Sequence, residues 1–264
     1  MKYDALIFDI DGVLIDTSKS FNSAVIKAIS IFTGTNIFST KELRSLRSIG
    51  GFNNDWYAAI AGAAWVTFAG HLTFSEYLQL CKRSKKGIDG VRKQFPKIKE
   101  SFEQRITQIV QEAYGGKTAC EKLYGFKPSI LSVPGFWKSE VSMIDLDFME
   151  KYKQIIGICT GRNHAETELA FSILGWSIDL SYVALSDYPE LDKPNPYKLT
   201  KVINNLNSDY PIYFGDTMDD LELVKEYRIK TGKNIDFCLV GSSLELDGYD
   251  YKTDSLMKFL RGIE

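Results

Sequence analysis

The chain has 264 residues, a net charge of −2 at pH 7 and 44% hydrophobic residues. This length is enough for one or two domains with a buried core. The slightly acidic balance argues against nucleic-acid binding and against a polybasic membrane-binding role for the whole chain. No apolar run approaches the roughly twenty residues that span a bilayer, and the amino terminus has the pattern of a core strand rather than a signal peptide. We therefore expect a cytoplasmic protein.

Few side chains are available for a zinc site or a disulfide framework. The chain has two histidines, His71 and His164, and its four cysteines have no CxxC spacing. A histidine-rich zinc site is therefore not expected. The cysteines are interpreted as small buried hydrophobic residues.

The first element is an apolar run, Ala5 to Leu14, that is interrupted by Asp9, Asp11 and Gly12. The run is typical of a buried strand, and two acids at i and i+2 of an extended backbone share one face. Such a pair can bind a hard divalent cation, and a glycine permits a tight turn beside it. The same string also occurs in ordinary surface turns, so it carries little weight alone.

Four later segments repeat the pattern of an apolar run followed at once by polar residues, and amphipathic helical stretches lie between them. The runs are 155–159, 181–186, 211–214 and 237–240. Alternating strands and helices predict an α/β fold with a doubly wound parallel sheet. Ligands of such sheets bind at the carboxyl ends of the strands, where these polar residues would collect.

Between the first two predicted strands lies a long segment without a clear strand. Its apolar residues fall at helical spacing, for example in 56–64, 74–81 and 102–113. This spacing predicts an all-helical insertion of about 120 residues.

Taken together, the strand-end motifs resemble those of the haloacid dehalogenase superfamily of phosphohydrolases. They are, in chain order, Asp9-Ile10-Asp11-Gly12-Val13, Thr160-Gly161-Arg162, Lys193-Pro194-Asn195-Pro196 and Gly215-Asp216-Thr217-Met218-Asp219-Asp220. The resemblance implies a Rossmann-like catalytic core formed by residues 1–16 and 141–264. It also implies that residues 17–140 form a helical cap domain of the C1 type, as in phosphoglycolate phosphatase-like enzymes of subfamily I.

The resemblance also implies a role for each motif residue. Asp9 would be the nucleophile, Asp11 the general acid and base, Thr160 a ligand of the phosphoryl oxygens, and Lys193 the residue that neutralises their charge. The magnesium ligands would be Asp9, the backbone carbonyl of Asp11, Asp216 and Asp220. The residue types support these roles independently, because clustered carboxylates repel one another unless a cation joins them, and Mg²⁺ prefers hard oxygen ligands.

Two segments are candidates for substrate binding. Thr160, Gly161 and Arg162 follow a predicted strand where a helix should begin, so the hydroxyl and the free amides could bind an anion. The alternative is an ordinary threonine N-cap. Arg162 could contact the substrate or form a surface salt bridge.

The second candidate segment lies in the helical insertion, where Gly51, Asn53 and Asn54 could contact the substrate. The alternative is a turn between helices in which Asn54 or Asp55 is an N-cap. Eight Lys or Arg residues between Lys82 and Lys99 could attract an anion, although such runs are usually solvated surface.

The predicted function is Mg²⁺-dependent hydrolysis of a small phosphomonoester through an aspartyl-phosphate. Asp11 disfavours a dehalogenase, which needs no leaving-group acid, and the turn after the first strand lacks the GxGxxG of a dinucleotide-binding fold. A sugar phosphomutase and a catalytically idle binding module remain alternatives. The substrate, a small phosphorylated metabolite, could be a sugar phosphate, phosphoglycolate, a nucleotide or histidinol phosphate. The sequence does not indicate the oligomeric state.

Overall fold

The computed structural model describes residues 2–52, 54–84, 87–241 and 247–263. The chain divides into two compact units, Met1–Asp16 with Glu140–Glu264, and Thr17–Ser139. We call the first the sheet unit and the second the helical unit.

The sheet unit contains a six-stranded sheet in which each pair of neighbouring strands is parallel, in the order β5-β4-β1-β6-β7-β8. The described strands are β1 Ala5–Phe8, β2 Ile15–Asp16, β3 Val141–Ser142, β4 Ile156–Cys159, β5 Val183–Ala184, β6 Pro211–Gly215, β7 Asp236–Val240 and β8 Tyr251–Thr253. β2 and β3 form a separate antiparallel pair. The predicted parallel α/β sheet is confirmed.

The central strands are apolar throughout because both faces of the sheet are covered. In β1, Leu6 and Phe8 belong to the hydrophobic cluster on one face, and Ile7 belongs to the cluster on the other. The Phe8 ring stacks on that of Phe214, with centroids 4.8 Å apart. This alternation with a period of two fixes the register of β1 against its neighbours.

The helical unit contains six described helices that pack through apolar and aromatic side chains. They are α1 Phe21–Thr33, α2 Thr40–Arg47, α3 Asp55–Phe68, α4 Phe74–Ser84, α5 Ile88–Gln94 and α6 Glu100–Tyr124. α3 is buried from Ala58 to Trp65. The backbone of α6 is kinked at Gly116, where a Cβ would lie 2.2 Å from the Gly135 amide nitrogen.

Five described helices of the sheet unit alternate with strands along the chain, as in a doubly wound fold. They are α7 Leu146–Tyr152, α8 His164–Leu174, α9 Tyr197–Asn205, α10 Met218–Thr231 and α11 Leu256–Ile263. The four cysteines are free and buried. Among the described residues, no helix is both long and apolar enough to cross a membrane.

Candidate active site

Four predicted site residues follow strands of the sheet at their carboxyl ends. Asp9 follows β1, Thr160 follows β4, and Asp216 follows β6, while Lys193 lies in the loop between β5 and α9. Because the strands are parallel, these ends lie at one edge of the sheet. The fold therefore brings the residues together across more than two hundred positions of sequence.

Lys193 joins two buried carboxylates at this edge. Its Nζ lies 3.0 Å from Asp9 Oδ1 and 2.7 Å from Asp220 Oδ1, and its side chain is 8% exposed. The Ile10 amide also donates to Asp9 Oδ1, at 2.7 Å. Both contacts of the Asp9 carboxylate thus fall on one oxygen. Within the described parts of the chain, Oδ2 has no hydrogen-bond donor.

The environment shifts the pKa values of these groups in opposite directions. Burial raises the pKa of Asp9 to about 7, and the carboxylates of Asp220 and Asp11 add to this rise while Lys193 opposes it. Burial also disfavours the charge on Asp220, but Lys193 and hydrogen bonds outweigh this effect and lower its pKa. The carboxylates of Asp220 and Asp9 raise the pKa of Lys193, although burial opposes this rise. The lysine is therefore positively charged at neutral pH.

Asp220 is held by several donors. Its Oδ1 accepts hydrogen bonds from Lys193 Nζ and from the Tyr213 hydroxyl, at 2.7 and 2.8 Å, and its Oδ2 accepts from Thr217 Oγ1 at 2.6 Å. Thr217 and Asp220 also form the capping box of α10. With both oxygens engaged, Asp220 is suited to orient Lys193 beside Asp9.

Asp216 is the carboxylate at this edge whose environment best fits the binding of a cation. One oxygen atom each of Asp9, Asp216 and Asp220 lies within 4.8 Å of the others. Asp216 Oδ1 is buried and has no hydrogen-bond partner among the described residues. Burial, and then the charges of Asp220 and Asp9, raise the Asp216 pKa well above its usual value. A hard divalent cation would satisfy this oxygen and relieve the repulsion, so the residues fit Mg²⁺.

Gly12 allows Asp216 to lie close to the backbone of the first loop. Its φ is +74°, and a Cβ at this position would lie 2.1 Å from Asp216 Oδ2. The left-handed backbone and the close approach both require glycine here.

Asp11 lies two residues beyond Asp9, and its side chain is 34% exposed. Arg162 donates to its Oδ1 from Nε and from an Nη atom, at 3.0 and 2.6 Å. The Arg162 side chain is itself buried, at 1% exposed, so the salt bridge that it forms is not a surface one. Its second carboxylate partner is Glu140.

The loop after β4 does not start the next helix where the sequence suggests. α8 begins at His164 with Asn163 as its N-cap in a capping box with Glu166, so Thr160 is not the cap. The Thr160 hydroxyl instead accepts a buried hydrogen bond from the Arg162 amide, at 3.1 Å. Gly161 is exposed, with open space where a Cβ would be. The expectation that amides of the first helical turn lie in 160–162 is wrong, because Asn163 is the stronger capping residue.

The loop that carries Lys193 is held by a second polar network. Asp192 accepts from Ser186 Oγ at 2.6 Å and from Lys198 Nζ at 3.0 Å. The next helix, α9, has Pro196 as its N-cap, and Asn195 Oδ1 accepts a hydrogen bond from the Tyr197 amide. The network fixes both ends of the loop around Lys193.

The predicted substrate-binding residues of the helical unit are only partly described. Asn53 lies outside the described residues. Asn54 is the N-cap of α3, with its Oδ1 accepting from the Tyr57 amide at 3.2 Å, and Gly51 adopts a φ of +75° in the preceding turn. Capping is thus one role of Asn54. In the basic segment, Arg92 pairs with Glu103 at 2.7 Å.

Sequence reasoning missed two residues that contact the predicted site residues at this edge of the sheet. Tyr213 looks like one more apolar strand residue, although its hydroxyl donates to Asp220. Glu140 stands in a segment without a motif, yet its side chain is fully buried against Arg162. Its position directly before residue 141, where the core was predicted to resume, was the only sequence signal for Glu140.

The site therefore combines two carboxylates after β1, a buried cation that faces one of them, and a further carboxylate with an unpaired oxygen. This arrangement can bind a divalent ion and neutralise an anionic group beside a carboxylate.

Comparisons with known proteins identify the family of the chain. A family model described as haloacid dehalogenase-like hydrolase matches residues 3–226. A search of curated proteins finds no match.

Solved structures resemble the chain over nearly its full length. A structure of phosphatase Tt82 from Thermococcus thioreducens is 25% identical, with a TM-score of 0.69, over 97% of this chain and 99% of that one. A protein from Lactobacillus delbrueckii subsp. bulgaricus, provisionally named a phosphoglycolate phosphatase, is 17% identical with a TM-score of 0.66, over 100% and 99% of the two chains. A family IA hydrolase from Entamoeba histolytica is 13% identical with a TM-score of 0.56, over 96% and 94%. The last two likenesses concern the fold alone.

Proposed function

This chain belongs to the haloacid dehalogenase-like hydrolases, and on that premise we propose that it is a Mg²⁺-dependent phosphatase acting on a small phosphomonoester. The observation that carries the proposal is Lys193, a buried cation held between Asp9 and Asp220 beside the unpaired oxygen of Asp216. A dianionic phosphoryl group needs this kind of concentrated positive charge next to a carboxylate nucleophile. The likeness to a phosphatase at 25% identity supports the same reaction.

The metal ion would be held by Asp9, Asp216 and the backbone carbonyl of Asp11, with Asp220 binding it directly or orienting its ligands. Bound Mg²⁺ would neutralise charge on the phosphoryl oxygens. The buried unpaired Asp216 Oδ1 supports this ligand set.

Asp9 would attack phosphorus in the first step. Its Oδ2 is the oxygen without a donor among the described residues, because Lys193 and the Ile10 amide both lie on Oδ1. The bond between Oδ2 and phosphorus forms as the bond from phosphorus to the ester oxygen breaks. Asp11, protonated at this stage, gives its proton to the departing oxygen, and the alcohol leaves.

A water molecule would complete the reaction. Asp11, now a carboxylate, takes a proton from the water as the water oxygen attacks phosphorus. The bond between phosphorus and Asp9 breaks, inorganic phosphate is released, and Asp11 is again protonated. Both carboxyl groups thus return to their starting states after one turnover.

The remaining predicted residues would bind and select the substrate. Thr160 and the Gly161 amide would hold phosphoryl oxygens, whereas the Arg162 amide, which the sequence also suggested for this role, already donates to Thr160 Oγ1. The helical unit would act as the cap domain that the family resemblance implies, with Gly51, Asn53 and Asn54 contacting the substrate.

The proposal is tested by measuring phosphate release from a panel of small phosphate esters, with Mg²⁺ or with EDTA. The variant Asp9→Asn removes the nucleophile with little change of shape. The matched control is Asp4→Asn, the same substitution near the amino end of β1, where Asp4 accepts from the Asp209 and Tyr210 amides. We expect release to require both Mg²⁺ and Asp9, and to persist in Asp4→Asn.

Turnover by Asp9→Asn at the wild-type rate would overturn the site assignment. Failure of the wild type to release phosphate from every ester would refute the phosphatase. Phosphoryl exchange between sugar phosphates would then test the mutase alternative.

A further inference from the structure

Arg162 is fully engaged by protein groups at the edge of the sheet. Its Nε and one Nη donate to Asp11 Oδ1, and that Nη also lies 3.0 Å from Glu140 Oε2. The other Nη donates to the Glu166 carbonyl at 3.3 Å. Every guanidinium nitrogen therefore contacts the protein, which leaves Arg162 poorly placed to bind an incoming phosphoryl group.

Glu140 supplies a second negative charge that holds Arg162 in this position. Its side chain is 0% exposed and that of Arg162 is 1% exposed, so both charges have been removed from water. Burying an ion pair costs several kcal/mol per ion, and good geometry only about balances this cost. Because a buried pair contributes little net stability, a role in fixing geometry is the better physical reason for its presence.

The contacts of Arg162 give the two carboxylate oxygens of Asp11 different hydrogen bonding. Oδ1 accepts both hydrogen bonds from the guanidinium, at 3.0 and 2.6 Å. No donor to Oδ2 is found in the described chain. The carboxyl is about one third exposed, so Oδ2 is the oxygen that can exchange a proton with a substrate or with water.

We propose that Arg162 and Glu140 are positioning residues that hold Asp11 by one oxygen and leave the other to transfer the proton. Arg162 acts through Asp11, and Glu140 acts through Arg162. This inference rests on the proposed phosphatase function. A planar guanidinium can place two donors on one carboxylate, whereas a lysine ammonium is a single point charge, so Arg162→Lys should loosen Asp11 while keeping the charge.

The test uses leaving groups that differ in their need for a proton. The values of kcat/KM are measured for 4-nitrophenyl phosphate, whose leaving group departs as a stable anion, and for the best alkyl phosphate of the wild type. This constant reports the steps through transfer of the phosphoryl group to Asp9, so slow hydrolysis of the phosphorylated enzyme does not mask the effect.

Positioned acid catalysis contributes about 10²-fold to 10⁴-fold. We expect Arg162→Lys to lose about 10²-fold on the alkyl ester and less than about threefold on the nitrophenyl ester. Glu140→Gln keeps an oxygen near Arg162 but removes the charge, so it should show the same selectivity with a smaller loss, about tenfold. The ratio of the two constants does not depend on the folded fraction, which protects the test against partial unfolding.

Arg228→Lys is the matched control. Arg228 lies in α10 of the same unit and donates to the Ile235 carbonyl from Nε and from one Nη, at 3.0 and 2.5 Å, so its replacement also removes a contact made by two nitrogens of one guanidinium. The ratio of the two constants should not change in this variant.

Equal losses on the two esters, or no loss in either variant, would overturn the inference while leaving the phosphatase intact. A wild type that hydrolyses neither ester would instead refute the proposed function, and the inference with it.

Discussion

Replacement of Asp216 by asparagine should make the metal-free protein more stable. It should also abolish the stabilisation that Mg²⁺ gives to the folded protein. Carboxylate oxygens of Asp9, Asp216 and Asp220 lie within 4.8 Å of one another, and at 4.8 Å two unit charges repel by about 3.5 kcal/mol at an effective dielectric constant near 20. Lys193 offsets part of this repulsion. We therefore expect Asp216→Asn to raise the free energy of unfolding by about 1 to 3 kcal/mol in EDTA.

The stabilisation by Mg²⁺ should be smaller in the variant than in the wild type. A ligand present at about 100 times its dissociation constant stabilises the folded state by about 3 kcal/mol. Wild type should gain this amount from Mg²⁺, while Asp216→Asn should gain little because a principal ligand is missing. Urea unfolding at pH 7, with Mg²⁺ or EDTA, measures both effects.

Asp4→Asn is the control for this prediction because the surroundings of Asp4 favour the charged carboxylate, whereas those of Asp216 disfavour it. Burial disfavours the Asp4 charge, but hydrogen bonds from Ser208 and from the Asp209 and Tyr210 amides outweigh it and lower the pKa. Its replacement should reduce stability and leave the Mg²⁺ response intact. An Asp216→Asn protein that is less stable than wild type in EDTA and still gains stability from Mg²⁺ would refute the reasoning.

Three further predictions concern the same cluster. The folded Asp9 carboxyl, with a pKa of about 7, holds a proton that an unfolded carboxyl gives up near pH 4, so metal-free stability should fall as pH rises between these values. Urea unfolding across pH 4 to 8 measures this fall, and Mg²⁺ should reduce it. Gly12→Ala should cost about 1 to 3 kcal/mol and weaken Mg²⁺ stabilisation in the same assay, because its Cβ would lie 2.1 Å from Asp216 Oδ2. Lys193→Met leaves Asp9 and Asp220 buried without their cation, so it should cost about 3 to 5 kcal/mol in unfolding free energy and abolish phosphate release.

The sheet could be predicted because its central strands are continuous apolar runs that end in polar motifs. β1, β4, β6 and β7 are buried on both faces, so their composition alone marks them. β8 escaped prediction because Tyr251–Thr253 is a short edge strand with a charged residue. The pair β2 and β3 has two residues in each strand, too few for any periodicity.

The site could be predicted only where a residue lies in a motif. Asp9 and Asp216 directly follow strands and Lys193 lies in the loop after β5, and the roles expected for them come from the family resemblance of their motifs. Tyr213 and Glu140 depend on partners that are distant in sequence, so no local pattern distinguishes them from an ordinary strand residue and a surface acid. Glu140 and Arg162 are brought together only by the three-dimensional fold, so their pairing could not be predicted from the sequence.

The central claim is that phosphate is transferred to Asp9, and trapping the phosphorylated enzyme tests this claim most directly. Enzyme mixed with its best ester and Mg²⁺ is quenched during turnover and treated with borohydride, which reduces an aspartyl-phosphate to homoserine. Peptide mass spectrometry then locates the modified residue. We predict homoserine at position 9, and at no other aspartate, only when substrate is present. Homoserine at another aspartate, or an unmodified Asp9 in an enzyme that is turning over, would contradict the account.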